Sequence, residues 1–203
     1  MIKAVAFDFG NVLCRLDRPS CDAALASHSP LPAAEVTARI WGGELERDFE
    51  TGRCDSREYF ARVKDAIAAH RSWTYEEFSG EFMKCLVPHP AGERAVLRAR
   101  ELGLRVFILS NTSFLHARFI FGREILATVP EIYALSFRIG VMKPDPAIWS
   151  WLLDKAGVKA EECAYFDDIP AYRDTAASLG FRAFLHDPVK GDLTGELESV
   201  ASS

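Results

Sequence analysis

The chain has 203 residues, 49% hydrophobic and 26% charged, with a net charge of −5 at pH 7. That length suits one large domain or a core domain with an insertion. The acidic balance argues against a nucleic-acid groove, which needs clustered Lys and Arg, and no apolar tract is long enough to span a bilayer.

The start of the chain runs from Met1-Ile2-Lys3 directly into an apolar stretch, without the pattern of a signal peptide, so a cytoplasmic protein is expected. Five cysteines, Cys14, Cys21, Cys54, Cys85 and Cys163, are scattered and lack C-x-x-C spacing, which predicts reduced structural thiols.

Ala4-Val5-Ala6-Phe7 is a short apolar run that meets Asp8 and a Gly10-Asn11 turn. A buried parallel strand reads as such a run, and ligands in open α/β sheets bind beyond the carboxyl ends of the strands. Asp8 is therefore a candidate site residue, with a turn or helix cap as the competing reading.

From about residue 17 to 88 the pattern is helical with loop signals and no convincing strand. Trp41-Gly42-Gly43-Glu44 reads as a flexible tip before a charged helix, Leu45 to Phe49. Asp55 and Glu58 have capping-box spacing, and Tyr59, Val63 and Ile67 repeat at i, i+4 and i+8 behind them. A further helix is predicted from Thr74 to Leu86, with Thr74 and Glu77 as its capping box. Residues 17–87 thus form a helical insertion, and 1–16 with 88–203 form the core domain.

Pro88-His89-Pro90 ends the helical block, and an amphipathic helix follows over Gly92 to Leu102. Arg105 to Leu109 is a second buried strand, ending in Ser110-Asn111-Thr112. A third strand, Ile132 to Phe137, leads into Lys143-Pro144-Asp145-Pro146, where Asp145 caps a helix with Pro146 in its first turn. A fourth, Glu162 to Phe166, ends in Asp167-Asp168. A helix from Ala171 to Leu179 and a fifth strand, Phe181 to Leu185, complete the pattern, and the residues after Asp187 read as a fraying tail. Strands alternating with helices predict an α/β fold, a Rossmann-like parallel sheet with helices on both faces, plus a helical cap inserted after the first strand.

Asp8, Ser110-Asn111, the Lys143 loop and Asp167-Asp168 then share one rim of the sheet. They offer a carboxylate nucleophile, donors for an anion, a cation to neutralise it and further carboxylates for a divalent ion. An oxygen-rich set of this kind suits Mg²⁺. Each motif alone is more often a turn or a cap than a site; the ordered set carries the argument.

That ordered set, Asp8-Phe9-Gly10-Asn11-Val12-Leu13, Leu109-Ser110-Asn111-Thr112, Lys143-Pro144-Asp145-Pro146 and Phe166-Asp167-Asp168, resembles the haloacid dehalogenase (HAD) superfamily of phosphohydrolases over nearly the whole chain. Within it, the motifs and the Glu50-Thr51-Gly52 turn resemble a small branch that includes a glucose-1-phosphate phosphatase. The resemblance implies Mg²⁺-dependent hydrolysis of a small phosphorylated metabolite, such as a sugar phosphate. It implies Asp8 as nucleophile, forming an aspartyl-phosphate. Ser110, the backbone amide of Asn111 and Lys143 would bind the phosphoryl group, and Asp8, the Gly10 carbonyl and Asp168 would hold the metal. Asp167 would act through a water or behind the metal ligands, although the two acids are not told apart by sequence.

Gly10 departs from the resemblance, because most relatives carry there a second Asp that moves protons. A positioned acid or base contributes about 10²- to 10⁴-fold. Three readings compete: substrate, water or a cap residue replaces it; the leaving group needs no protonation; or the chain binds a phosphorylated ligand or partner with little turnover. Haloacid dehalogenation is a further alternative, against which the Asp167-Asp168 pair speaks because that reaction needs no metal. Phosphonate cleavage would need a cap lysine near the start of the insertion, where the first is Lys64. His116 could supply the proton or simply pack, and Trp41, Glu44, Glu46 and Asp48 could select substrate or simply face core and solvent.

Overall fold

In the computed structural model, which describes residues 1–201, Ala4–Phe7 (β1) is the middle strand of a five-stranded sheet. Its neighbours are Arg105–Ser110 (β4) on one side and Cys163–Asp167 (β6) on the other, both parallel to it. Ile132–Leu135 (β5) and Arg182–Leu185 (β7) complete the parallel order β5-β4-β1-β6-β7. The two remaining strands, Cys14–Leu16 (β2) and Leu86–Pro88 (β3), pair antiparallel as a separate ribbon.

The pleat divides the strand residues between two cores. Val5, Phe7, Val106, Ile108, Ala164 and Phe166 pack on one face, while Ala4, Ala6, Phe107, Leu109, Cys163 and Tyr165 pack on the other. Full burial on both faces explains why these strands read as unbroken apolar runs rather than alternating ones.

Between β2 and β3 the chain forms five helices: Arg18–Ala26 (α1), Ala33–Ile40 (α2), Glu44–Glu50 (α3), Ser56–Ala66 (α4) and Tyr75–Phe82 (α5). They pack around an apolar cluster that Leu115 from later in the chain also joins, in which Phe49 stacks on Tyr59 with ring centroids 4.0 Å apart and Phe82 packs edge-on to Tyr59. Such aromatic pairs add about 0.5–1.5 kcal/mol each beyond the area they bury. Asp55 caps α4 by accepting from the backbone N–H groups of Arg57 and Glu58, and Thr74 and Glu77 form a reciprocal capping box on α5.

The remaining helices are Pro90–Glu101 (α6), Phe114–Phe121 (α7), Glu124–Thr128 (α8), Ser136–Ile139 (α9), Ala147–Ala156 (α10), Pro170–Ser178 (α11) and Leu193–Ala201 (α12). The first turn of α10 is bounded by Asp145, whose side chain accepts from the Ala147 N–H at 2.9 Å.

Several expectations from sequence change. The helix begun at Thr74 stops at Phe82; Met83–Cys85 tightens into a 3₁₀ turn and Leu86 enters β3. The third core strand ends at Leu135, and Ser136 starts α9, because the Ser136 hydroxyl joins the Thr112 backbone through two hydrogen bonds of 2.9 and 3.1 Å. The residues after Asp187 are no fraying tail: α12 buries Leu193, Leu197 and Val200 against α6, although residues 202–203 lie outside the described part. All five cysteines are free and buried. No helix among the described residues is long and apolar enough to cross a membrane.

Candidate active site

Because β1, β4 and β6 run parallel, their carboxyl ends open on the same edge. The backbone N–H of Asp8 continues the sheet by donating to the Phe166 carbonyl at 2.8 Å, which fixes the residue at the strand's exit. Beside it Lys143, only 2% exposed, directs Nζ to Asp8 Oδ1 at 2.7 Å and to Asp167 Oδ2 at 2.7 Å, with the Tyr165 hydroxyl at 3.2 Å. A buried ammonium is costly unless it is paired and hydrogen-bonded, and these partners meet that requirement.

Asn111 sets the position of Lys143 rather than facing it. Its side-chain oxygen accepts from the Lys143 N–H at 2.7 Å, and its amide nitrogen donates to the Lys143 carbonyl at 2.9 Å. Burial alone would lower the Lys143 pKa, but Asp8 and Asp167 hold it above the ordinary lysine value, so the ammonium is kept.

The two acids at the end of β6 differ. Asp167 is fully buried, and its oxygens accept from Lys143, from the Tyr165 hydroxyl and, at 2.9 Å, from the Ile169 N–H. Asp168 is half-buried and accepts from the Asn11 side-chain amide at 3.0 Å. Asn11 is in the left-handed region at φ 56°, a conformation Asn adopts more readily than most residues, and its side-chain oxygen also accepts from the Leu16 N–H at 3.2 Å.

Asp8, Asp167 and Asp168 bring ligand oxygens within 4.8 Å of one another. Among the described residues, the ammonium of Lys143 pairs with two of these three carboxylates, Asp8 and Asp167. Burial pushes the Asp8 carboxyl up to about 7, with Asp167 and Asp168 adding to the effect and Lys143 opposing it. Burial also raises Asp168. Two like-charged groups this close to Asp8 create a demand for positive charge that one lysine does not meet.

A cleft of about 270 Å³ opens over this cluster. Asp8, Gly10, Asn11, Asn111, Lys143, Asp168 and Tyr172 form its core side, and Glu46 and Glu50 reach in from α3. Asp167 and Ser110 are not on its wall; the Ser110 hydroxyl, 2% exposed, donates to the Asn111 carbonyl at 3.2 Å. Tyr172 lies beside Lys143, whose Nζ is 4.8 Å from its ring centroid. Lys143, Met142 and Tyr172 also border a neighbouring groove of about 710 Å³ that carries Arg47 and Arg53.

Glu50 is the cleft residue whose chemistry the sequence did not announce. It is half-buried, and burial with the adjacent Glu46 pushes its carboxyl up to about 8, against the pull of Arg18 and Lys143. Of the four insertion residues weighed from sequence as substrate selectors, only Glu46 lines the cleft, beside Glu50 of the Glu50-Thr51-Gly52 turn. Trp41 packs instead on Phe82 and donates to Asp22 at 2.7 Å, Asp48 pairs with Arg62 at 2.9 Å, and Glu44 is exposed. His116 is away from the cleft wall, stacked on Phe82, with Nε2 3.3 Å from the Phe82 carbonyl. Burial lowers its pKa to about 4, so it is neutral at pH 7.

A parallel sheet with this strand order, a helical layer above its carboxyl edge and an Asp–Lys–Asp cluster under that layer define a class of hydrolase. The family model of haloacid dehalogenase-like hydrolases matches residues 2–180, and the chain belongs to that family. It is 28% identical over 191 residues to a phosphatase of Mycobacterium tuberculosis, covering 92% of this chain and 88% of that protein. It is 24% identical to the D-ribitol-5-phosphate phosphatase of Bacteroides thetaiotaomicron, over the full length of both chains. A HAD-family enzyme of B. thetaiotaomicron, solved with magnesium and inorganic phosphate, shares the fold with a TM-score of 0.83 at 21% identity, covering 94% of this chain and 96% of that one.

Proposed function

We propose that this protein is a Mg²⁺-dependent phosphatase that hydrolyses a small phosphorylated metabolite through an aspartyl-phosphate on Asp8. The observation that carries this reading is the Asp8–Lys143–Asp167 arrangement beneath a polar cleft, with Asp168 on the same wall. The donor set suits the metal: the carboxylates of Asp8 and Asp168 and the Gly10 carbonyl are all hard oxygen ligands, and the cluster has an excess of negative charge. Asp167, whose oxygens are already engaged, acts by holding Lys143.

The cation, when bound, would neutralise phosphoryl oxygens and draw the Asp8 carboxyl toward its ionised form. The chain's own groups do the rest. An oxygen of the Asp8 carboxylate attacks phosphorus, and the bond to the leaving oxygen breaks. Lys143 offsets the charge of the transferring group, while the backbone N–H of Asn111 donates to its oxygens; the Ser110 hydroxyl would have to turn from the Asn111 carbonyl to join it. Water then attacks phosphorus and frees Asp8.

A sugar or polyol phosphate is the substrate class we favour. The relative that acts on D-ribitol 5-phosphate supports it, as does a cleft near the lower end of the size range for small-molecule pockets. The dehalogenase reading leaves the surplus of carboxylates without a role. Hydrolysis of p-nitrophenyl phosphate and a panel of sugar and polyol phosphates, with Mg²⁺ and with EDTA, tests the proposal. Turnover that needs Mg²⁺ and is lost in Asp8→Asn is expected. Activity that survives EDTA or the Asp8→Asn change contradicts it, and phosphate-ligand binding without turnover would point to a binding module.

A further inference from the structure

The family resemblance leaves a gap at Gly10, where no side chain can move a proton. The space above it is occupied: a Cβ built on Gly10 would lie 3.2 Å from Leu16 Cδ1. Four carboxyl groups line the cleft, those of Asp8, Asp168, Glu46 and Glu50. Asp8 is bound to Lys143 and Asp168 to Asn11, and Glu46 accepts from the Gly42 N–H at 2.6 Å. The Glu50 carboxyl has no hydrogen-bond or ion-pair partner among the described residues.

The backbone around Glu50 is nonetheless fixed. Thr51 closes α3, with both its N–H and its hydroxyl donating to the Arg47 carbonyl, at 2.9 and 2.7 Å. Gly52 follows at φ +68°, pressed so closely on the core that a Cβ there would meet the Phe137 carbonyl oxygen at 2.2 Å. Only glycine allows that approach. The insertion is therefore pinned to α9 two residues after the carboxyl that enters the cleft.

We propose that Glu50 is the general acid and base of the reaction, supplying from the insertion the proton transfers for which Gly10 has no side chain. The assignment rests on the phosphatase reading above. In the first half-reaction Asp8 forms its bond to phosphorus as the phosphorus–leaving-oxygen bond breaks. That electron pair stays on the leaving oxygen, which takes the Glu50 proton and departs as the alcohol. In the second, the Glu50 carboxylate takes a proton from water as its oxygen bonds to phosphorus, the Asp8–phosphorus bond breaks, and inorganic phosphate leaves with Glu50 reprotonated. The groups facing Glu50 are Glu46 on its own helix, Arg18 of α1, Tyr59 of α4, Asp8, Lys143 and Tyr172. Burial and Glu46 push the Glu50 carboxyl up, against Arg18 and Lys143, which is the direction a proton donor needs.

The test is kcat/KM for wild type and Glu50→Gln on phosphate monoesters whose leaving groups range from p-nitrophenol to alkyl alcohols. In Glu50→Gln, alkyl esters should lose about 10²- to 10⁴-fold and p-nitrophenyl phosphate at least about tenfold less, steepening the dependence on leaving-group pKa. The aryl ester should also show a burst of nitrophenolate before slowed phosphate release, because the second half lacks its base. Should Glu50→Gln fail to fold, Glu50→Ala read on the same series gives the same decision. Equal losses across the series, or no loss, overturn the assignment. An unchanged slope in an enzyme that still needs Asp8 refutes Glu50 alone; a wild type that turns over no ester refutes the phosphatase reading as well.

Discussion

The floor and the roof of the cleft are built on opposite principles. On the floor, every acid near Lys143 is tied to a partner: Asp8 and Asp167 to its ammonium, Asp167 again to Tyr165 and Ile169, Asp168 to Asn11. On the roof, the Glu50 carboxyl enters the same space with no hydrogen-bond or ion-pair partner among the described residues and is pushed up to about 8. A saturated network holds charges at fixed positions, which suits binding and stabilising a phosphoryl group. An unpaired, partly buried acid keeps a proton that it can give away. The fold places the rigid part on strand ends and the proton carrier on a separate helical layer.

Breaking the floor should have the largest effect. Lys143→Met leaves Asp8 and Asp167 facing each other in a buried site, and loss of one partner of such a pair typically costs about 3–5 kcal/mol. Chemical denaturation should show that loss at pH 7, together with loss of turnover. A small effect on stability would mean that the network is not the rigid element described.

The junction between floor and roof has its own signature. His116, on the core helix α7, stacks on Phe82 of the insertion and has its pKa lowered to about 4 by burial. The unfolded chain binds the proton near pH 6.5 and the folded one does not until about 4, so the stability it contributes is complete above 6.5 and lost as pH falls toward 4. Over that window roughly 2–3 kcal/mol should disappear in wild type and not in His116→Gln, read as unfolding free energy against pH. Parallel curves for the two proteins would refute the assignment.

A smaller effect should separate holding a ligand from being one. Asn11→Ala frees Asp168 and should raise the Mg²⁺ concentration for half-maximal activity by about 10- to 100-fold, with little change at saturating Mg²⁺. A fall in rate that excess Mg²⁺ does not restore would show that Asn11 acts on something other than the metal site.

The same contrast explains what the sequence disclosed. Strand ends were legible because β1, β4 and β6 are buried on both faces and so read as continuous apolar runs ending in polar residues. β2 and β3 were not, since three residues carry no periodicity. The helix α12 was hidden by Gly195 and its acids, although Leu193, Leu197 and Val200 have the i, i+4, i+7 spacing that would have revealed it. In α7, Phe114–Phe121 is apolar on nearly all sides, which blurs the helical period.

Within the site, Asp8, Asn111, Lys143 and Asp167 were recognised by motif and lie together, while Tyr165, which holds Lys143 and Asp167, was missed. Tyr165 could have been inferred, because a residue two before Asp167 on a strand shares its face. Glu50 could not be separated from the other acids of α3 by spacing alone. What distinguishes it is the approach of Gly52 to Phe137, a contact 85 positions apart in sequence.

The central claim is that Asp8 carries the phosphoryl group. Acid quenching during turnover of a labelled phosphate ester, followed by peptide mapping, tests it most directly. Acid-stable, hydroxylamine-sensitive label is expected on the peptide containing Asp8, absent in Asp8→Asn. Label on another residue, or sustained turnover with no labelled protein at any quench time, would contradict it.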